Sequence, residues 1–220
     1  MLIVSLDADL WRLAGFSLMV SLAATGLATV AGVPLGAALA SGRGRLHGPL
    51  TTLVNAGMGL PPVLVGLTLA LLLWRTGPLG SLGLIYTPLA VVLAQFVVAA
   101  PIVTGLTRGA VGALDPDLRA ALRADGAGPV ATGRELLRAA LPQVLLAVSA
   151  GFGRAIAEVG ASLIVGGNIA GSTRTLTTAI TLETSRGNFS LAIALGIVLL
   201  IAAIAVNVAI GHLARRARTT

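Results

Sequence analysis

The sequence predicts an all-α integral membrane protein of about five membrane-spanning helices, and three observations predict it. Of 220 residues, 56% are hydrophobic and only 10% are charged, where a soluble domain carries about a quarter charged residues. Mean hydropathy is +0.96 over the whole length, which also excludes disorder, a state that needs low hydrophobicity and high charge. Third, long apolar runs alternate with short clusters of arginine.

Each of five runs is long enough to cross a bilayer, which takes about 20 helical residues. They cover about 11–40, 50–74, 88–107, 142–166 and 189–212. The first is longer than a crossing requires, so part of it is expected to tilt or to lie at the interface. Residues 1–6 are apolar with no basic residue before them and do not read as a cleavable signal. Proline interrupts several runs: Pro34 in the first, Gly59-Leu60-Pro61-Pro62 in the second, and Pro101 in the third. Each proline removes a helical hydrogen bond and kinks the chain. The kinks serve either packing alone or the lining of a cavity.

The positive-inside rule orients the spans. Ten arginines (43, 45, 108, 119, 123, 134, 138, 215, 216 and 218) follow spans one, three and five, and Arg12, Arg75, Arg174 and Arg186 lie on the other side. The N-terminus is therefore expected outside and the C-terminus in the cytoplasm.

The same composition excludes several functions. All 15 basic residues are arginine, so the chain has no P-loop, Schiff-base or kinase-type lysine. Any ATP that drives it must be bound by another polypeptide. Cysteine is absent, which removes disulfides and thiol chemistry. The pI of 11.7 invites a nucleic-acid reading, but aromatics at 3% are too few for base stacking, and the arginines sit where orientation signals belong. His47 and His212 are isolated, and Asp7, Asp9 and Glu183 form no acid–base pair that the sequence can establish.

The longest polar insert, 108–141, exceeds a simple turn. Asp115-Pro116 is a helix start, with an aspartate cap and proline at the first helical position. Leu118, Ala121 and Leu122 recur at helical spacing, and Gly126-Ala127-Gly128 stops that helix. Pro129 opens a second helix with Val130, Leu137 and Leu141 on one face and Arg134 and Arg138 on another, ending at Pro142. Asp115, Asp117, Asp125 and Glu135 offset the insert's arginines. That balance suits a protein-docking element better than a one-sidedly basic lipid-surface helix.

The run Ala120-Ala121-Leu122-Arg123-Ala124-Asp125-Gly126-Ala127 resembles the EAA loop of ATP-binding-cassette importer permeases, with Ala120 where the family often has glutamate. The resemblance implies a type I importer transmembrane domain. Its coupling helix, with Ala120, Ala121, Arg123, Gly126 and Ala127, would seat in cytoplasmic ATPase subunits. Glu158-Val159-Gly160-Ala161, then Gly167-Asn168-Ile169 and Thr173-Arg174-Thr175-Leu176, are similar to permeases for tetrahedral oxyanions such as molybdate and sulfate. Leu182-Glu183-Thr184-Ser185-Arg186-Gly187-Asn188-Phe189, together with Gly59 to Gly66 and Gly77 to Gly83, resembles the tungstate branch. The likeness implies a homodimer in a bacterial or archaeal cell membrane, served by an extracytoplasmic oxyanion-binding protein. It implies no cofactor on this chain, with ATP and magnesium held by the ATPase partner.

Two constellations are candidates for the pathway or its gate. Arg154 and Glu158 are four apart in an apolar run and share a helix face. They read either as a neutralised pair that orders the bundle or as a gate-region pair. Asn168, Thr173, Arg174 and Thr175, with Ser172, Thr177 and Thr178, gather hydroxyl and amide donors around a positive charge. Such donors can replace the water of a dianion without holding it tightly; the alternative is a capped re-entrant turn. A secondary transporter would need ion-coupling groups beyond Glu158 and visible inverted repeats. A membrane enzyme would need a nucleophile, a metal or an acid–base set.

Overall fold

The computed structural model describes residues 8–42 and 45–217. The expectations for residues 1–6, Asp7, Arg43 and Arg218 lie outside the described residues. Ten α-helices occur among the described residues, and no strand. In chain order they are α1 (Ala8–Ser41), α2 (His47–Met58), α3 (Pro62–Leu73), α4 (Pro88–Gly112), α5 (Pro116–Ala124), α6 (Pro129–Ala139), α7 (Leu141–Ile156), α8 (Gly160–Gly166), α9 (Leu176–Ser185) and α10 (Phe189–Arg216).

Three of these, α1, α4 and α10, are long and apolar enough to cross a membrane unaided. Two bent pairs raise the number to five: α2 with α3, bent by 109°, and α6 with α7, bent by 79°. The α2–α3 break falls at Gly59-Leu60-Pro61, where two successive prolines cannot donate backbone hydrogen bonds. The fourth apolar run differs from the continuous crossing expected over 142–166: α7 ends at Ile156, and residues 160–166 form the separate seven-residue helix α8. No proline marks this break. A buried carboxylate makes it, as described below. Helix α4 runs on to Gly112, so Arg108 belongs to the helix and not to the insert.

The centre of the bundle is α1 laid against α4. Val20, Ala24 and Ala28 form a buried stripe on α1, facing Val91, Ala99 and Val103 of α4. Small residues set the spacing, because apolar lipid gives helices no hydrophobic reason to associate and close van der Waals contact has to do so. At Gly36 the approach is closest: a Cβ there would lie 2.6 Å from the Thr104 carbonyl oxygen and 2.9 Å from Thr107 Cβ. Helix α7 packs on the other side of α4, α8 packs against α3 and α4, and α10 closes the bundle over α7 and α9. Ser149 of α7 and Asn207 of α10 are hydrogen-bonded, and Asn207 also donates to the Ala203 carbonyl at 2.8 Å. Most of α10 stays uncovered: Phe189, Ile193, Leu200, Ile201 and Ile204 are exposed, forming a face that acyl chains would solvate.

Gly36→Val is expected to force α1 away from α4 and to destabilise the detergent-solubilised protein by about 1–3 kcal/mol, the usual range for overpacking. Gly26→Val on the same helix meets open space and should leave thermal unfolding near the parent value. Equal unfolding temperatures for the two variants would contradict this account of the α1–α4 contact.

Candidate functional site

Glu158 is a fully buried carboxylate, at 1% exposure. Its Oε2 accepts from Arg154 Nη1 at 2.8 Å, and its Oε1 accepts from the Ala161 backbone N–H, also at 2.8 Å. Its own carbonyl oxygen accepts from Thr177 Oγ1 at 2.9 Å. The first turn of any helix presents orphan N–H groups, and the Glu158 carboxylate satisfies one at the start of α8. The residue therefore ties α7, α8 and α9 together. Arg154 is less enclosed, with 28% of its side chain accessible, so one end of the pair opens to the surface of the bundle.

The second constellation is the loop from α8 to α9. Gly167, Asn168 and Gly171 all have positive φ, and the loop closes on its own side chains. Thr173 Oγ1 accepts from Ile169 N–H at 3.0 Å and donates to the Gly166 carbonyl. Thr175 caps α9: its hydroxyl accepts from Thr178 N–H, and the Thr178 hydroxyl accepts from Thr175 N–H, a reciprocal capping box. Thr173, Thr175, Thr177 and Thr178 are all buried. Their hydroxyls hold the loop and the start of α9, so they present few free donors to a passing ion. Arg174, which the sequence presents as a charge without a partner, is braced by Asn168: Nε donates to Oδ1 and Nη2 to the backbone oxygen, both at 3.2 Å. No carboxylate pairs with it among the described residues. The expected Arg154–Glu158 pair forms, but Glu158 meets Arg154 from the break beyond α7 and not from a shared helix face, and Thr177 joins the threonines to it.

Two connections escaped the sequence reading. Ser17 of α1 accepts from Leu176 N–H at 2.8 Å while donating to the Leu13 carbonyl, so α1 also caps α9. Tyr86, at positive φ, donates its N–H to the Val165 carbonyl at 2.8 Å and sets its ring against Gly167 and edge-on to Trp74. A buried serine in an apolar run was the available signal for the first; nothing local marks the second.

The insert forms two helices, as its punctuation predicts. Asp115 Oδ1 accepts from Asp117 N–H at 2.9 Å. Gly126, at φ 79°, ends α5 in a Schellman turn, with Gly126 N–H on the Arg123 carbonyl and Ala127 N–H on that of Leu122. Helix α5 buries no residue at all; Ala120, Ala121 and Arg123 are exposed. Arg119 Nη1 donates to the Ala40 carbonyl at the end of α1, at 3.3 Å. The inward face of α6 differs from the expected one: Thr132 and Leu136 are buried, whereas Val130 is 87% exposed. Leu136 packs with Ala37 of α1, Val111 of α4, and Ala140 and Val144 at the start of α7. Helix α6 is rooted in three helices, and α5 stands off it as an exposed handle.

This helix order, with an exposed two-helix insert beside a broken span, is the architecture of an importer transmembrane domain, and comparison with known proteins agrees. Residues 32–219 match the family described as binding-protein-dependent transport system inner membrane component, and the chain belongs to that family. It is a multi-pass membrane protein and an ABC importer permease. A probable anion ABC transporter permease protein of Haloferax volcanii is 42% identical over 198 residues, covering 87% of this chain and 84% of that one. The tungstate uptake system permease protein TupB of Peptoclostridium acidaminophilum is 37% identical over 209 residues, covering 95% and 92%. The molybdenum transport system permease protein ModB of Mycobacterium tuberculosis is 32% identical over 205 residues, covering 89% and 76%. Among solved structures, the MetNI methionine ABC transporter in an inward-facing conformation superposes with a TM-score of 0.79 at 21% identity, over 94% of this chain and 95% of that one, which shows the shared fold.

Glu158→Ala removes both the ion pair and the α8 cap and is expected to destabilise the protein by about 3–5 kcal/mol, the range for breaking a buried pair. Arg154→Ala leaves the Glu158 carboxylate buried without its cation and is expected to cost a similar amount. Glu158→Gln, which keeps an acceptor for Ala161 N–H and buries no charge, should cost least. Unfolding in detergent ranks the three, and a loss for Glu158→Gln as large as that for Glu158→Ala would refute the cap.

Proposed function

We propose that this chain is the membrane-spanning subunit of an ATP-driven oxyanion importer, with tungstate as its substrate. The observation that carries the reading is the similarity to a tungstate uptake permease across 95% of the chain. The molybdenum permease is similar at lower identity, which keeps molybdate as the second reading. In this proposal the N-terminus lies outside, and an external binding protein delivers the anion to the side that carries Arg174. Two copies of the chain face each other through the uncovered α2–α3 surface. That surface exposes Asn55 and Thr68 between apolar residues such as Leu53, Val63 and Leu67. An amide facing lipid is costly, and a second copy or a wet pathway would relieve it.

ATP hydrolysis belongs to separate subunits that grip α5, since this chain has no lysine for a nucleotide phosphate. The contacts indicate how a pull on α5 would travel. Arg119 carries it to the end of α1, and Leu136 carries it to α4 and to the start of α7. Helix α7 ends at the Glu158 knot, which holds α8 and the Arg174 loop. A rigid displacement at the insert is thereby expected to reach the opposite end of the bundle, as alternating access requires. Arg174, fixed by Asn168 and without a carboxylate partner among the described residues, offers a positive charge weakly enough committed for an anion to engage and leave.

Proteoliposomes holding the permease, its ATPase subunits and the binding protein should take up tungstate only with ATP, and molybdate less well. Gly126→Val strains the left-handed elbow and should reduce uptake by about tenfold or more, because a strained turn displaces the handle, while substrate binding to the external protein stays intact. Arg174→Ala should lower uptake at every tungstate concentration. Uptake that persists without ATPase subunits under an ion gradient would point to a secondary carrier instead, and unchanged uptake by Arg174→Ala would remove that residue from the pathway.

A further inference from the structure

The end of the bundle that carries the insert also holds a groove, which shares Arg119 and Arg123 with the handle helix α5. It lies between the last turns of α1, helix α6 and the first residue of α7, with a volume of about 780 Å³, within the range of sites that hold organic ligands. Its walls are mainly apolar, contributed by Pro34, Ala37, Val130, Leu137 and Leu141. Above them stand Arg119, Arg123, Arg134 and Arg138, and no carboxylate lines the groove among the described residues. Arg119 is held by the Ala40 carbonyl and Arg138 by Glu135 at 2.6 Å. Arg123 and Arg134 have no ion-pair partner among the described residues.

We propose that this groove binds an anionic glycerophospholipid, its phosphate on Arg123 and Arg134 and the upper part of an acyl chain along the apolar walls. Two features converge on that occupant. Pro34 and Ala37 stand near the end of α1 and Leu141 starts α7, where the first apolar run ends and the fourth begins; Val130 and Leu137 add a face of α6, and basic pockets between helix ends are where anionic headgroups bind. An apolar groove left open there would be filled by lipid tails, and the unneutralised arginines select which lipid supplies them. A small soluble anion would satisfy the arginines and leave Val130, Leu137 and Leu141 uncovered. A zwitterionic lipid would cover the walls and leave the charge unmet. Val130, a large apolar side chain 87% exposed beside arginines, is explained by an acyl chain lying over it. The bound lipid would brace α6 against α1 and stiffen the path from the handle to the bundle.

The test uses the full-length permease in complex with its ATPase subunits, exchanged into detergent with palmitoyl-oleoyl phosphatidylglycerol or the corresponding phosphatidylcholine. Retained lipid is counted by native mass spectrometry. Phosphatidylglycerol should be retained over phosphatidylcholine, and Arg134→Gln should reduce its retention by about fivefold, the effect of one arginine at an anionic surface. Val130→Trp, which fills the groove without altering charge, should reduce retention equally and serves where Arg134→Gln fails to assemble. Arg186→Gln, far from the groove and paired with Glu183 on α9, should change nothing. Equal retention of the two lipids overturns the proposal, as does a wild-type count in both Arg134→Gln and Val130→Trp. Lipid that is held by the permease alone but expelled by the ATPase subunits also overturns it and makes the groove a protein seat.

Discussion

One buried carboxylate organises the bundle. A charge alone at mid-bilayer costs roughly 2.5–3.5 kcal/mol on insertion scales, and a helix broken inside the membrane leaves backbone groups that lipid cannot satisfy. Glu158 lets each problem answer the other. The chain breaks after α7, and the carboxylate takes the Ala161 N–H in the first turn of α8 while Arg154 balances its charge. Thr177 then closes on the Glu158 carbonyl, so α9 follows the same point. Without that knot, nothing local would hold three short helical segments in register where a straight span would otherwise run.

The rest of the membrane-embedded part depends on closeness more than on hydrophobicity. Leucine is as comfortable in lipid as in a protein core, so the long helices meet through glycine, alanine, serine and threonine. On α1 these residues are Ala24, Ala28, Gly32 and Gly36, and on α4 they meet Thr104 and Thr107. Polar side chains in this zone bond to nearby backbone: Thr25 to the Ser21 carbonyl, and Thr104 to that of Ala100. Ser17 also reaches across to another helix, as Ser149 does to Asn207, and it links the first and ninth helices at the end opposite the insert.

These two features place function at the two ends. At one, α5 buries no residue completely and stands on a root formed by α1, α4, α6 and α7. At the other, the Asn168–Arg174 loop is closed by its own hydroxyls and held to the Glu158 knot. Between them runs a continuous chain of packed helices, α7 above all. A permease that converts motion of a partner subunit into access for a solute needs stiffness along this line and freedom at the α2–α3 break, and the distribution of glycine and proline follows that division.

Much of the insert was legible from residue types alone. Aspartate before proline, a glycine elbow and a second proline are local signals whose effect is set by backbone sterics, and α5, its turn and α6 formed where those signals stand. The Arg154–Glu158 pair was legible from its spacing, although α7 ends at Ile156 and Glu158 meets Arg154 from the break and not from a shared helix face. The inward face of α6 was not, because periodicity offers Val130 and Leu136 alike and only the neighbours of α6 choose between them. Neither was the bracing of Arg174, which depends on a positive φ at Asn168.

What the sequence determined by itself was therefore the membrane class, the number of apolar runs, the helix punctuation and, through matching motifs, the family. These follow from hydropathy and from backbone preferences that act within a few residues. Only the tertiary structure decided that the fourth run is two helices, that the threonines following it are held in internal hydrogen bonds and are not open donors, and that four arginines share one apolar groove. Each of those depends on residues far apart in sequence meeting in space, where burial makes a hydrogen bond obligatory and proximity makes a charge cluster.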